Sequence, residues 1–530
     1  MLEFRRATPG DAPAIHRLNY ETFVEEIPQH HPNAERLLVD RFHDTNTYWV
    51  GLADGQLVAM CAIRDEHPFS LEQKGVTLPP GEWIEVRLLA VTPAYRNTRT
   101  FAGLMRAMLL EATDRGVEGI VISGTVREQK LYRRFGFIPF AEPVGTTEAL
   151  YVPMQLTRSR FMQSETARTL RPKLLLAGPV ELSPQVRAAL GSQPSPHRSA
   201  EASRLLHSVQ SKLSALIKLP HIYTMLGSGT IANDAVAAQL TGRGVIIDTG
   251  EFGRRLVDHA NRVGLEFDVV ALSSERRLDM KQIEQHKPDW IWTVHCETST
   301  GKLVDLDQLR QYAHAYPTKI AIDAISAVGT MVTDYSFAHF VTFVSGKALR
   351  NAPGLAFVAM RERAVPNPSI PRYLDLAAYN PIAFTQSVPL IQAMDVALSE
   401  LTDAEMKAHQ TKLDLFVHEL MRRGIQVECK DDQSPGIFSL VLPDGQSSME
   451  LGRQLGFHGY HIQYESDYLR RANCIQVSTM GWTTTRDMQQ VASYIATWIQ
   501  KKTATPESDG FKHGNLGGPN GESSDRGVLS

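Results

Sequence analysis

Val344-Ser345-Gly346-Lys347-Ala348-Leu349 sets a lysine just beyond Phe340-Val341-Thr342-Phe343, a short apolar run that reads as a buried strand. Upstream of it similar runs recur, spaced by segments of helical length. They are Val245-Ile246-Ile247, Val269-Val270-Ala271, Trp290-Ile291-Trp292-Thr293-Val294 and Ile320-Ala321-Ile322. Short apolar strands alternating with helices predict an α/β unit on a mainly parallel sheet with helices on both faces. Open sheets of that kind hold their ligands at the carboxyl ends of the strands. Asp323 closes one such strand, and His295-Cys296-Glu297-Thr298-Ser299-Thr300-Gly301 follows another.

Three groups along this unit point to one coenzyme. Gly227-Ser228-Gly229-Thr230 precedes a helical run at 231–240. Backbone N–H groups at a helix start, with two hydroxyls, suit a phosphate dianion, although Gly-Ser-Gly is also a common turn. A buried Asp323 needs a cationic partner, which a protonated pyridine nitrogen supplies. Lys347 offers an amine that bonds covalently to an aldehyde. Phosphate cradle, acid and lysine in that order are what pyridoxal 5'-phosphate requires. Phe252, in Asp248-Thr249-Gly250-Glu251-Phe252-Gly253, either stacks on the coenzyme ring or is an ordinary core phenylalanine.

With Leu175-Leu176-Ala177-Gly178-Pro179, Ile322-Asp323-Ala324-Ile325-Ser326-Ala327-Val328-Gly329 and Lys347-Ala348-Leu349-Arg350-Asn351-Ala352-Pro353-Gly354, the stretch from about 172 to 500 resembles the class V aminotransferases. The nearest branch contains the 2-aminoethylphosphonate–pyruvate and alanine–glyoxylate aminotransferases. The resemblance implies a fold-type I enzyme, a large mainly parallel-sheet domain plus a small C-terminal α+β domain. It places Ser228, Gly229 and Thr230 on the phosphate, Phe252 on the ring and Thr298 near the phenolic oxygen. Asp323 pairs with the ring nitrogen, and Lys347 is the attachment point and proton shuttle. Thr385, in Phe384-Thr385-Gln386-Ser387, reaches the phosphate of the neighbouring subunit of a homodimer. One position departs. Relatives carry a carboxylate-binding arginine in a late strand, where Ile475-Gln476-Val477-Ser478-Thr479-Met480-Gly481 has Gln476. An amide offers neither the charge nor the bidentate fork. Either Arg350, Arg470 or Arg471 substitutes, or the substrate has no carboxylate there, or the alignment is displaced by a few residues.

Residues 1–157 read as a different, α+β unit. Strands are expected at 2–4, 48–53, 57–64, 83–91 and 119–123, with Asp54-Gly55 as a tight turn. Helices are expected at 11–23 with Asp11 as N-cap, at 100–115 ending at Gly116, and at 128–135. Glu85-Val86-Arg87-Leu88-Leu89-Ala90-Val91, then Thr92-Pro93-Ala94-Tyr95-Arg96, and later Leu131-Tyr132-Arg133-Arg134-Phe135-Gly136-Phe137, resemble the GNAT acyltransferases. That resemblance implies that Arg96, Asn97, Thr98, Arg99 and Thr100 cradle the pyrophosphate of coenzyme A. It makes Tyr132 the acid for the leaving thiolate and Glu85 the base. Otherwise Tyr132 merely packs, and Glu85 is a solvated strand residue. The loop glycines usual in the family are absent, Arg99 and Phe101 standing in their place, which obstructs close backbone approach. Leu18-Asn19-Tyr20-Glu21-Thr22-Phe23-Val24-Glu25-Glu26 is similar to the N-acyl amino acid synthase and acyl-homoserine-lactone synthase branch, which takes acyl carrier protein donors.

The remaining features set limits. The 530 residues are 43% hydrophobic and 21% charged with net charge −3, an ordinary globular composition that predicts neither a nucleic-acid nor a membrane partner. Four cysteines without CxxC spacing predict reduced thiols in a cytoplasm and no metal site, and His30-His31 reads as an exposed loop. No signal-peptide core is evident at the start, and no apolar run is long enough to span a bilayer. Residues 158–172 read as a polar linker, 173–502 as the aminotransferase unit and 503–530 as a disordered tail. The expected activity is bifunctional. Small-molecule amine and carbonyl substrates undergo transamination, and an acyl group moves from a coenzyme A or carrier-protein thioester, with the amine just formed as one acceptor. Two alternatives stand: a catalytically inactive GNAT-like module that binds the thioester, and a pyridoxal-phosphate lyase or decarboxylase.

Overall fold

The computed structural model describes residues 2–504 apart from 97, 146–149, 273–277, 381–382 and 428–430, so most of the expected tail lies outside it. The N-terminal strands are β1 (Leu2–Arg6), β2 (Thr47–Ala53), β3 (Gln56–Arg64), β4 (Trp83–Val91), β5 (Gly119–Thr125), β6 (Ile138–Pro139), β7 (Val144–Gly145) and β8 (Leu150–Thr157). They form one sheet in the order β1-β2-β3-β4-β5-β8-β6, with β7 also on β8. Neighbours are antiparallel except β4 and β5, which pair in parallel only from Trp83/Gly119 to Val86/Ile122. Both strands continue, to Val91 and Thr125, without pairing with each other, and the sheet opens there as a wedge.

Helix α1 (Ala12–Tyr20) covers one face, burying Ile15 and Leu18 against Val50, Met60 and Ala62. Helix α2 (Thr98–Asp114) covers the other, with Leu104, Met105 and Met108 against Phe4, Trp49 and Ile84. The helix expected at 11–23 is α-helical only to Tyr20 and continues as a π-helical turn, Glu21–Glu26. Asp11 does not cap it with its side chain, because its carboxylate turns back to the Thr8 N–H and the Arg5 guanidinium. After the short helix α3 (Gln129–Arg134), the segment read as a linker folds into α4 (Arg158–Gln163) and α5 (Glu165–Leu170). Thr157 and Ser164 cap them through side-chain oxygens, and Arg106 on α2 donates to the Leu170 carbonyl at 2.8 Å.

The larger unit is a seven-stranded sheet in the order His221–Gly227, Gly354–Met360, Phe340–Val344, Lys319–Asp323, Trp290–Val294, Arg243–Asp248, Glu266–Ala271. Gly354–Met360 is antiparallel to both neighbours, and the pairs from Phe340–Val344 through to Glu266–Ala271 are parallel. Helices Gly229–Gln239 and Glu251–Val263 pack on one face around Ile246, Trp292 and Ala321. Helices Ala200–Ile217 and Leu306–Ala315 pack on the other around Val245, Ile291 and Ile320. A smaller unit follows, in which Ile437–Val441 pairs antiparallel with Cys474–Ser478 beneath helices Asp403–Arg422 and Thr485–Ala504. Its helix Ser448–Phe457 meets the N-terminal sheet. The Gln454 amide donates to the Phe4 carbonyl at 2.7 Å and accepts the Phe4 N–H at 3.1 Å. Among the described residues no helix is long and apolar enough to cross a membrane.

Two candidate active sites

Lys347 lies at the carboxyl end of the larger sheet, just past Phe340–Val344, and its amine donates to the Ala177 carbonyl at 3.0 Å. Gly178 lets that segment come close, for a Cβ there would sit 3.6 Å from Nζ in a backbone with φ +147°. Burial lowers the Lys347 pKa, against the pull of Cys296 and Asp323. Asp323, also buried, accepts from Asn233 Nδ2 at 2.7 Å and from the Ile325 N–H at 2.9 Å. The Thr342 hydroxyl in turn donates to Asn233 Oδ1 at 2.8 Å, which fixes the amide. Burial raises the Asp323 pKa, and the hydrogen bonds and the Lys347 charge oppose it. Sequence reading missed Asn233. It lies one turn into the helix Gly229–Gln239, 90 residues from its partner, and no local signal marks it.

Ser228 is the N-cap residue of that helix, with Gly229 and Thr230 opening it. A Cβ on Gly229 would lie 2.3 Å from Ile325 Cδ1, so the glycine keeps the helix start against the sheet. Phe252 is half-buried at the start of Glu251–Val263, with the Arg255 guanidinium 4.3 Å from its ring centre. Glu297 is fully buried and fastens the same helix start. It accepts from the Thr249 hydroxyl (2.9 Å), the Phe252 N–H (3.1 Å) and the Ser299 N–H (3.1 Å). An anion at a helix N-terminus is favoured by the exposed amides and the helix dipole. The Thr298 hydroxyl shares a 2.6 Å hydrogen bond with Ser326.

Gln476 is buried in Cys474–Ser478. Its amide donates to the carbonyls of Thr298 (2.7 Å) and Ser299 (3.2 Å) and to the Ser439 hydroxyl (2.9 Å). Tyr468 donates to its oxygen at 3.4 Å. Of the arginines considered as substitutes, Arg350 is buried and held by Glu405 (2.8 Å) and the Met480 carbonyl (3.3 Å). Arg470 and Arg471 are exposed on the short helix Asp467–Arg471. Arg255, not singled out by the sequence, is the arginine whose charge acts on Lys347 and on Tyr468. Thr385 is exposed ahead of the helix Val388–Glu400.

In the N-terminal unit the wedge between β4 and β5 opens into a cavity of about 700 Å³. Tyr132 lines it, its ring 6.4 Å from that of Phe137 in an edge contact. Leu88 and Leu89 together oppose one β3 residue, a β-bulge with Leu88 at φ +47°. A bulge leaves backbone groups out of the ladder, and this one lies on the cavity wall. Glu85 is fully buried and is not a solvated strand residue. It accepts from the Ser70 N–H (2.8 Å), the Ser70 hydroxyl and the Leu71 N–H (3.3 Å). In the expected phosphate loop, Arg96 is paired with Glu26 and donates to the Val91 carbonyl at 2.9 Å. Thr98 opens α2, Arg99 is exposed and Thr100 is buried, while Asn97 lies outside the described residues. His30 and His31 are exposed.

A half-buried lysine and a buried acid lie at the carboxyl end of an α/β sheet, and a sheet with a parallel-strand wedge precedes them. Residues 12–137 match the Acetyltransferase (GNAT) family and residues 165–369 match Aminotransferase class-V, so a GNAT domain precedes a class V aminotransferase domain. A 2-aminoethylphosphonate–pyruvate transaminase of Salmonella schwarzengrund is 25% identical, covering 61% of this chain and 96% of that protein. An uncharacterized aminotransferase of Methanocaldococcus jannaschii is 26% identical over 51% of this chain and 78% of its own. Among solved structures, ureidoglycine–glyoxylate aminotransferase of Bacillus subtilis has a TM-score of 0.59 at 18% identity, covering 64% of this chain and 95% of its own. Alanine–glyoxylate aminotransferase of Nostoc has 0.55 at 22%, covering 63% and 95%. These two show likeness of fold.

Proposed function

We propose that the chain is a bifunctional, homodimeric biosynthetic enzyme. Its C-terminal unit transfers an amino group to an aldehyde or keto substrate with pyridoxal phosphate. Its N-terminal unit moves an acyl group from a coenzyme A or carrier-protein thioester onto an amine. The observation that carries the first half is the placing of Lys347 and the buried Asp323 at the carboxyl ends of two neighbouring parallel strands, with the helix start at Gly229 packed beside them. The residues fit that coenzyme. Gly229 lets the helix start pack against Ile325, and Asp323 takes its hydrogen bonds from an amide and a backbone N–H, so a cationic ring nitrogen would complete it.

Pyridoxal phosphate, when bound, supplies the electron sink for amino-group transfer. The residues do the rest. Ser228, Gly229 and Thr230 receive the phosphate at the helix start. Phe252 and Thr298 orient the ring, and Thr385 of each subunit serves the other's site. Lys347 Nζ, its basicity lowered by burial, takes and returns a proton at the substrate carbon. With the Gln476 amide turned to the Thr298 and Ser299 carbonyls, the anionic end of the substrate meets Arg255 instead. A cytoplasmic setting suits the buried free thiols Cys61, Cys296 and Cys474.

In the N-terminal unit, backbone amides freed at the Leu88–Leu89 bulge face the thioester carbonyl, and Tyr132 protonates the departing sulfur. A second reading, a domain that binds the thioester without turning it over, is favoured by Glu85, whose carboxylate is taken up by the 70–71 loop. Acyl-CoA and acyl carrier protein turnover by the full chain decides between them. For the aminotransferase half, the purified protein with a panel of amine donors should convert its bound coenzyme spectrum to the amine form and release a keto product. A product that has lost its carboxylate or been cleaved would mean a decarboxylase or a lyase. Gln476→Arg should shift donor preference, and Arg255→Gln should raise KM for anionic donors; no change in either would remove both residues from substrate binding.

A further inference from the structure

The turn that carries Lys347 is pinned at its base, its side and its tip. At the base the Ser345 hydroxyl donates to the Ala352 carbonyl at 2.7 Å and accepts the Leu355 N–H at 3.2 Å, and the Asn351 N–H donates to the Ser345 carbonyl at 3.0 Å. At the side the Asn351 amide donates to the Leu390 carbonyl at 3.0 Å. At the tip the Arg350 N–H donates to the Lys347 carbonyl at 2.8 Å, which closes a four-residue turn. Arg350 ends that turn at φ +58°, in the left-handed region that glycine enters at least cost. Backbone strain of this kind persists only where the surroundings over-determine the residue.

Here the surroundings belong to the smaller unit. The Arg350 side chain leaves the larger sheet for the seam between the two units and is 2% exposed. Its Nη1 donates to Glu405 at 2.8 Å, its Nε to the Met480 carbonyl at 3.3 Å and its Nη2 to His409 Nε2 at 3.5 Å. Glu405 and His409 stand one turn apart on the helix Asp403–Arg422. Met480 follows the strand Cys474–Ser478, which carries Gln476. Burial, with the charges of Arg350 and Lys412, holds the His409 pKa down to about 3, so the ring is neutral near pH 7 and accepts from Arg350. Its Nδ1 then donates to the Thr479 hydroxyl at 2.9 Å, and that hydroxyl donates to the Pro435 carbonyl at 2.7 Å. One guanidinium thus grips two elements of the smaller unit, while its own backbone N–H closes the turn of Lys347.

Every nitrogen of the guanidinium is engaged within the seam, so Arg350 has no fork left for a substrate carboxylate. The ion pair is unequal. Arg350 is buried, whereas the Glu405 side chain is 43% exposed at the start of its helix and is the one carboxylate paired with Arg350 among the described residues. A buried cation stripped of its partner is left uncompensated, so the link holds only while Glu405 stays in place. We infer that Arg350 is a positioning residue for Lys347: it ties the lysine turn to the smaller unit, and the Lys347 amine keeps its place at the strand end only while that unit is docked against the sheet. This rests on the coenzyme reading and adds to it the group that sets the direction of the lysine. Arg350 acts through its backbone hydrogen bond to Lys347 and not by contact with the reacting atoms.

The test compares the full chain with Arg350→Gly, Arg350→Lys and Glu405→Gln by two readouts. The first is the fraction of coenzyme joined to Lys347 at saturating pyridoxal phosphate, read from absorbance and from borohydride trapping with peptide mass spectrometry. Arg350→Gly suits the left-handed turn and removes only the tie, so this fraction should fall about threefold or more. Arg350→Lys, which can still reach Glu405, should restore much of it, and Glu405→Gln should fall between. A merely structural role would lower the melting temperature and leave the fraction alone. The second readout is amide hydrogen exchange of the coenzyme-free protein. Residues 346–351 should exchange about tenfold faster in Arg350→Gly and Glu405→Gln, with the strands Phe340–Val344 and Gly354–Met360 unchanged. If Arg350→Gly does not fold, Glu405→Gln carries both readouts. An unchanged fraction in the folded variants overturns the inference, whether or not exchange quickens, and so does a lower fraction in Arg350→Lys than in Arg350→Gly. A wild-type protein that takes up no coenzyme removes the coenzyme reading, and exchange alone then decides whether Arg350 holds the turn: unchanged exchange overturns the tie, and faster exchange upholds it.

Discussion

Around Lys347 the polar side chains are fastened to one another: Asp323 to Asn233, Thr298 to Ser326, Glu297 to a helix start. Around the N-terminal wedge the fastening is partial: Glu85 is held by the 70–71 loop and Arg87 by Asp40, while Arg41 and Lys74 line the cavity at exposed positions. The difference follows from what each site would hold. A coenzyme kept through every turnover rewards a fixed geometry, in which each supporting group is itself supported. A site whose ligands arrive and leave together needs polar groups that the ligand completes.

The sharpest way to break the comparison is Lys347→Ala. Transamination should fall by about 10³-fold or more, with loss of the lysine-bound coenzyme absorbance, while N-acyl product binding is unchanged. A mutant that still transaminates would sink the assignment, and altered product binding would show that the sites are not independent. Next in size is Gly229→Ala. The added Cβ meets Ile325 at 2.3 Å, and overpacking of this kind costs about 1–3 kcal/mol. Coenzyme titration should show weakened binding together with a lower melting temperature; wild-type values in both would mean that the helix start is not the cradle.

Acid should separate the two regions further. Burial holds His295 down to about 4 and, with Arg350 and Lys412, holds His409 down to about 3. Both values lie below that of an unfolded histidine. As pH falls below about 6.5 the unfolded chain therefore takes up protons that the folded chain refuses. Stability is full above that value and declines by at most about 1.4 kcal/mol per pH unit per histidine until the folded values are reached. Melting curves from pH 7 to 5 should show the larger unit, which carries His295, and the smaller unit, which carries His409, losing stability, with a flatter slope in His409→Gln. A slope unchanged in both His409→Gln and His295→Gln would contradict this. The smallest effect should come from Arg5→Gln, which removes the partly exposed pair with Asp11 and should cost no more than about 1 kcal/mol. A larger loss in chemical denaturation would mean that this pair anchors α1 more firmly than its exposure suggests.

The five parallel strands were legible because buried parallel strands are short apolar runs, and with them the positions of Asp323 and Lys347 at strand carboxyl ends. His221–Gly227 and Gly354–Met360 were not read, although both are strands of the same sheet. His221-Ile222-Tyr223-Thr224 mixes polar with apolar residues, and Gly354 follows Pro353 where the sequence signals a turn. The helices in the supposed linker had readable caps, Thr157 and Ser164, but little apolar content to draw attention. Other features are invisible in one dimension. Gln476 is tied to a carbonyl 178 residues away, and Arg87 meets Phe42 and Asp40 across a sheet face. Glu85 illustrates the same point. Its place on β4 was clear, but the loop that takes up its carboxylate was not.

Gln454 imitates a strand. By giving its amide hydrogen to the Phe4 carbonyl and taking the Phe4 N–H, it answers the outermost ribbon of the N-terminal sheet as a neighbouring backbone would. A bare ribbon of that kind recruits foreign chains. Cutting the polypeptide between its two domains would uncover it, so the isolated N-terminal domain should aggregate through this edge while the intact chain keeps it covered.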